Sequence, residues 1–137
     1  MMPNYPLYTN HADTLVAASG RALTEVTVEA ATLGDISLDD MQITQQSLRA
    51  QAEIARQAGY VQLAQNLERA AELTVVPRDE IITMYHTLRP GRADFAQLMA
   101  LAERLEQHYQ AVVCAQFIRE AAIVYQERGM LRHPDAL

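Results

Sequence analysis

The chain has 137 residues, half of them apolar, and a formal charge of −6. One domain with its own core is the expectation at this length. All of its basic residues are arginine, and with no basic run the chain is poorly suited to a phosphate backbone, which argues against nucleic acid. A lone cysteine, Cys114, excludes an internal disulfide framework. The opening residues have neither the basic nor the apolar region of a signal peptide, and no stretch approaches the roughly 20 apolar residues that span a bilayer, so a cytoplasmic, soluble protein without membrane contact is expected.

Residues 1–23 carry Pro3, Pro6, Asn4, Asn10 and Gly20 without helical periodicity, which predicts an extended arm. Its aromatic residues Tyr5 and Tyr8, with Leu7, suggest that the arm is laid on something. Residues 24–43 read as short helices: one from Thr27 to Leu33 before Gly34, and one turn from Ser37 to Met41 with Ser37 as N-cap and Asp40 at the capping-box position.

The helical body spans 44–128. Thr44 is a good N-cap for a helix that ends at Gly59, with a stripe of Leu48, Ala52, Ile54 and Ala55. The next helix, Tyr60 to Leu73, has the clearest pattern: Tyr60, Leu63, Ala64, Leu67, Ala70 and Ala71 at helical spacing. Pro77 suits the first turn of a third helix, with Asp79 and Glu80 near its positive end. Ile81, Ile82, Tyr85 and Leu88 form its expected buried stripe, and Arg89-Pro90-Gly91 ends it.

The last segment, from about Asp94 to Arg128, first shows Phe95, Leu98, Met99, Ala102 and Leu105. It then shows Tyr109, Val112, Val113, Gln116, Phe117, Ala121 and Val124 on one stripe, with Cys114, Ile118, Ala122 and Tyr125 on a further face. A break near His108 is compatible with the pattern. A helix apolar around most of its circumference is either central to its own core or clamped by a partner. Residues 129–137 form a tail. The fold class is therefore all-α: a helical bundle with an irregular N-terminal arm, in one domain of 1–137.

A search for chemistry finds no catalytic constellation. The histidines His11, His86, His108 and His133 lack metal-ligand spacing, and the nearest approach, Glu103, Glu106 and His108, points around the helix rather than to one side. No charged neighbour in sequence activates Cys114. There is no glycine-rich phosphate loop. No catalytic, cofactor-binding or metal-binding residue is assigned. Arg119 and Glu120 interrupt an apolar helix, so their charges must reach solvent or a partner.

Two long motifs carry a family resemblance. The stretch LRAQAEIARQAGYVQLAQNLERAAELTVVPRDEIITMYHTLRPGR over 48–92 and YQAVVCAQFIREAAIVYQER over 109–128, with Tyr5-Pro6-Leu7, resemble the small subunit of adenosylcobalamin-dependent diol and glycerol dehydratases. The resemblance implies a non-catalytic subunit of a hydro-lyase that converts 1,2-diols or glycerol to aldehydes. It also implies large and medium partner subunits, a dimer of heterotrimers, and adenosylcobalamin bound by those subunits and not by this chain. In that family the cobalt–carbon bond breaks homolytically and the adenosyl radical takes a substrate hydrogen, and the catalytic residues belong to the large subunit. Tyr85, Arg89, Arg119 and Glu120, from the two motifs, are the candidate partner-interface residues.

Family members with an extension before the Tyr-Pro-Leu region are associated with low solubility or microcompartment packaging. This chain has almost none, which favours a cytosolic enzyme, although another subunit could supply that address. Substrate choice between propane-1,2-diol and glycerol lies in another chain. Two other classes compete: a stand-alone helical adaptor or regulator acting as a homodimer, and a small helical enzyme with a ligand pocket.

Overall fold

The computed structural model describes residues 2–135, and every regular element among them is helical. The chain forms two compact units, the first closing at Thr74 and the second opening at Val75.

In the first unit, the described residues of the expected extended arm 1–23, which are 2–23, depart from it. Leu7–His11 forms a helical turn, α1, whose buried residues Leu7 and His11 lie four positions apart on one side. Two residues are too few for periodicity to reveal. The chain then doubles back through an antiparallel bridge between Val16 and Ala22, with Gly20 at φ +88° in the left-handed region the turn requires. A 3-10 turn, Leu23–Glu25, follows.

The short helices fall where their caps placed them. Thr27 accepts from the Ala30 N–H at 3.1 Å and opens α2, Val28–Thr32. Ser37 and Asp40 form the capping box of α3, Leu38–Met41. Asp40 is also a hub. Ser19 Oγ donates to Asp40 Oδ1 at 2.5 Å and Arg21 Nε approaches it at 3.2 Å, tying the N-terminal loop to α3.

Thr44 accepts from the Ser47 N–H and starts α4, Gln45–Gln57, which Ala58, Gly59 and Tyr60 join to α5, Val61–Leu73. Such a short connection returns the second helix beside the first. Their seam includes small side chains: Ala52 and Ala55 on α4 and Ala64 and Ala71 on α5 are all buried. Alanine has no rotamer freedom to lose and lets backbones approach closely.

In the second unit, Pro77 is the N-cap rather than a first-turn residue of α6, Arg78–Thr87. Asp94 caps α7, Phe95–Tyr109, in a reciprocal box with Gln97. The break compatible with the sequence lies two residues past His108: Gln110 adopts φ +52° and Ala111, fully buried, leads into α8, Val112–Glu127. Leu98, Ala102 and Leu105 pack with Cys114, Ala115, Ile118 and Ala122 along the α7–α8 seam. Tyr125 donates to the Leu88 carbonyl at 2.6 Å, which secures the end of α6.

Candidate partner interface

The first hairpin sorts its apolar residues by size, and in an unusual direction. On α5 the stripe read from the sequence as one buried face divides. Ala64 and Ala71 are fully enclosed, while Leu63 is 49% exposed and Tyr60, its N-cap, 65% exposed. With Tyr5, Leu7, Ile54 and Leu67 these larger side chains line an open, apolar groove of about 560 Å³.

The second unit buries Leu98, Leu105 and Ile118 yet also leaves large apolar groups outside. The expected buried stripe of α6 is not buried: Ile82 and Tyr85 are exposed, and the residue that α6 buries is Met84. On α8 it is Cys114, Ile118 and Ala122, on the further apolar face, that pack inward. Phe117 and Val124, from the other stripe, face outward. A globular monomer ordinarily buries its largest apolar side chains first, because hydrophobic stabilisation scales with area removed from water. Contiguous large apolar groups left outside mark a surface for a partner.

The four residues singled out from the motifs are placed as follows. Tyr85 lies on the outward face of α6, and Arg89, two residues past the end of that helix, is exposed. Glu120 is exposed on α8 and accepts from Gln116 Nε2 at 3.3 Å, one turn away. Arg119 differs. Its Nη2 sits 2.5 Å from Glu106 Oε2 on α7, an oxygen that is enclosed and takes no hydrogen bond, so the ion pair is what compensates that charge. The pair bridges the α7–α8 hairpin from within this chain. Nothing in the sequence links Glu106 to Arg119, because thirteen residues and a tight turn separate them.

A second polar junction holds α6. Glu80 receives Arg104 Nε at 3.2 Å and Nη2 at 2.7 Å, together with the Tyr109 hydroxyl at 2.7 Å. The Arg104 fork, and after it the Tyr109 hydroxyl, hold the Glu80 carboxyl below the usual carboxylate range, and the same contact raises the Tyr109 phenol. Asp40 is likewise held low, by Ser19 first and then the Ser37 N–H. These junctions are saturated by their own partners and present no free acid or base. Among the described residues no group of three or more His, Cys, Asp or Glu could hold a metal ion, and no helix is long and apolar enough to cross a membrane.

Helical hairpins with outward-facing large apolar groups define an all-helical protein with faces suited to a partner. The chain belongs to the dehydratase small-subunit family, whose description matches residues 1–132. It is 46% identical over 132 residues to the propanediol dehydratase small subunit of Citrobacter freundii, covering 96% of this chain and 77% of that one. To the propanediol dehydratase small subunit of Salmonella typhimurium it is 45% identical over 132 residues, covering 96% and 76%. The family resemblance carried by the two motifs is thereby borne out, and the stand-alone adaptor is not favoured.

Proposed function

We propose that this chain is the non-catalytic small subunit of a propanediol dehydratase, and that it supports a large catalytic and a medium subunit in a dimer of heterotrimers. The observation that carries the reading is the set of large apolar side chains, Tyr60, Leu63, Ile82, Tyr85 and Phe117, left outside on a chain of this family. Propane-1,2-diol is favoured over glycerol because both relatives are named for propanediol.

Adenosylcobalamin belongs, in this reading, to the other subunits. A corrin carries a periphery of amides that needs polar partners, whereas the α4–α5 groove offers Gln51 and the two tyrosines on an otherwise apolar wall. These residues do not fit the cofactor. Tyr85, Arg89 and Glu120 lie at the subunit contact, and Arg119 supports it by holding α8 to α7. In this reading the complex is cytoplasmic, free or packaged in a bacterial microcompartment.

Co-expression of this chain, affinity-tagged, with the large and medium subunits is the test. Recovery of a three-component complex whose dehydratase activity requires all three supports the reading. A tagged chain that purifies alone as a monodisperse species, ignoring both subunits, overturns it.

A further inference from the structure

The N-terminal residues ahead of α1 are held by a hydrogen bond that a single proton can abolish. His11 is 9% exposed, and its Nε2 accepts the Asn4 backbone N–H at 3.0 Å. A backbone N–H can only donate, so this ring nitrogen must keep its lone pair and the imidazole must be neutral. Protonation would set one N–H against another. We propose that residues 2–5 are a pH-released strap whose latch is the neutral His11 ring.

The surroundings of His11 make the break local. Its carbonyl still accepts from the Thr14 and Leu15 N–H groups, and Asn10 donates twice to the Pro6 carbonyl, so α1 and the turn after it stay closed. The charged groups facing the ring's pocket are Arg49 and Glu53 on α4, with Asp13 two residues on in its own segment. Glu53 accepts from Arg56 at Oε2 and from Gln57 at Oε1, and Arg49 opposes a second positive charge. Any acceptor a protonated ring turns to, Glu53 included, takes it away from the Asn4 N–H, which can only donate.

Release has a structural consequence. Tyr5 forms one wall of the apolar groove between α4 and α5, and Gln57 Nε2 approaches Met2 Sδ at 3.3 Å beside it. Freeing the strap removes that wall and widens the groove. An effect on subunit docking rests on the function proposed above, whereas the release itself is a property of this chain alone.

Hydrogen–deuterium exchange of the full chain, corrected for intrinsic rates, at about pH 7.5 and about pH 5.5 brackets the ordinary imidazole range. Protection over the strap should fall about tenfold on acidification, as expected for one net hydrogen bond. His11→Gln, whose amide oxygen accepts without titrating, should keep the strap protected at both values. His11→Phe should leave it open at both. Wild-type protection that is equal at the two pH values overturns the proposal. So does a His11→Gln strap that opens as the wild type does, or a His11→Phe strap as protected at the higher pH as the wild type. Capture of the large and medium subunits, measured separately at the higher pH, reports on the docking reading and not on the latch.

Discussion

At the scale of single residues, two charged contacts carry distinct and separable predictions. Glu80 has its carboxyl lowered by Arg104 and Tyr109, so it stabilises the fold while ionised. A carboxylate depressed in the folded state contributes stability above its unfolded value, about 4.3, and loses it as pH falls through the folded value. Glu80→Gln should therefore lower the urea midpoint modestly at neutral pH, and the gap from wild type should close below about pH 4. A gap that persists unchanged at pH 3 would mean that the side chain acts through packing instead. Arg119 and Glu106 should behave as a unit. Removing either, Arg119→Ala or Glu106→Gln, should cost about 1 kcal/mol of chain stability, with a coupling of about 0.2–1 kcal/mol in the double-mutant cycle. Additive single effects would place the Arg119 charge against another subunit rather than against α7. The sequence exposed Arg119 as an anomaly, a charge inside an apolar run, but not its partner. Asp40 is the same case. Its capping-box position is local and legible, while its bonds to Ser19 and Arg21 come from a loop about twenty residues away.

Elements were legible where the determinant is local. The caps at Thr27, Ser37, Thr44 and Asp94, and the stop at Gly59, lie where short-range hydrogen bonding requires them. What periodicity could not decide is which of two apolar stripes faces inward. On α5 a single stripe divides, with Ala64 and Ala71 inside and Leu63 outside, and there size within the stripe was the usable signal; on α8, where two faces are apolar, the packed one holds Cys114, Ile118 and Ala122. The sorting predicts opposite outcomes for neighbouring residues. Ala64→Leu should overpack the α4–α5 seam and cost about 1–3 kcal/mol in denaturant unfolding. Leu63→Ala, one position away and half exposed, should change chain stability by less than about 0.5 kcal/mol yet reduce retention of the partner subunits. If both substitutions destabilised the isolated chain equally, the outward face of α5 would be part of its own core.

For the molecule as a whole, the decisive quantity is how the partners are held. Each unit leaves large apolar side chains outside, Tyr60 and Leu63 in the first and Ile82, Tyr85 and Phe117 in the second. A half-exposed aromatic or leucine offers on the order of 100 Å² for burial. Several such residues supply a large part of the roughly 800 Å² that one side of a standard interface covers. The charges near them are mostly committed within the chain: Arg56 to Glu53 and Glu68, Arg104 to Glu80, Arg119 to Glu106. Docking that depends on burial should survive salt, since at about 1 M the Debye length falls to about 3 Å and exposed ion pairs are screened. The co-expressed complex should therefore elute intact from size exclusion at both about 0.1 M and about 1 M salt. Tyr60→Ser combined with Leu63→Ser should weaken it at both. The isolated chain, its faces uncovered, should bind the dye ANS and self-associate, and added partner subunits should suppress both. Dissociation by salt alone, with the double serine variant still bound, would shift the contact from these apolar faces to the exposed charges at Arg89 and Glu120.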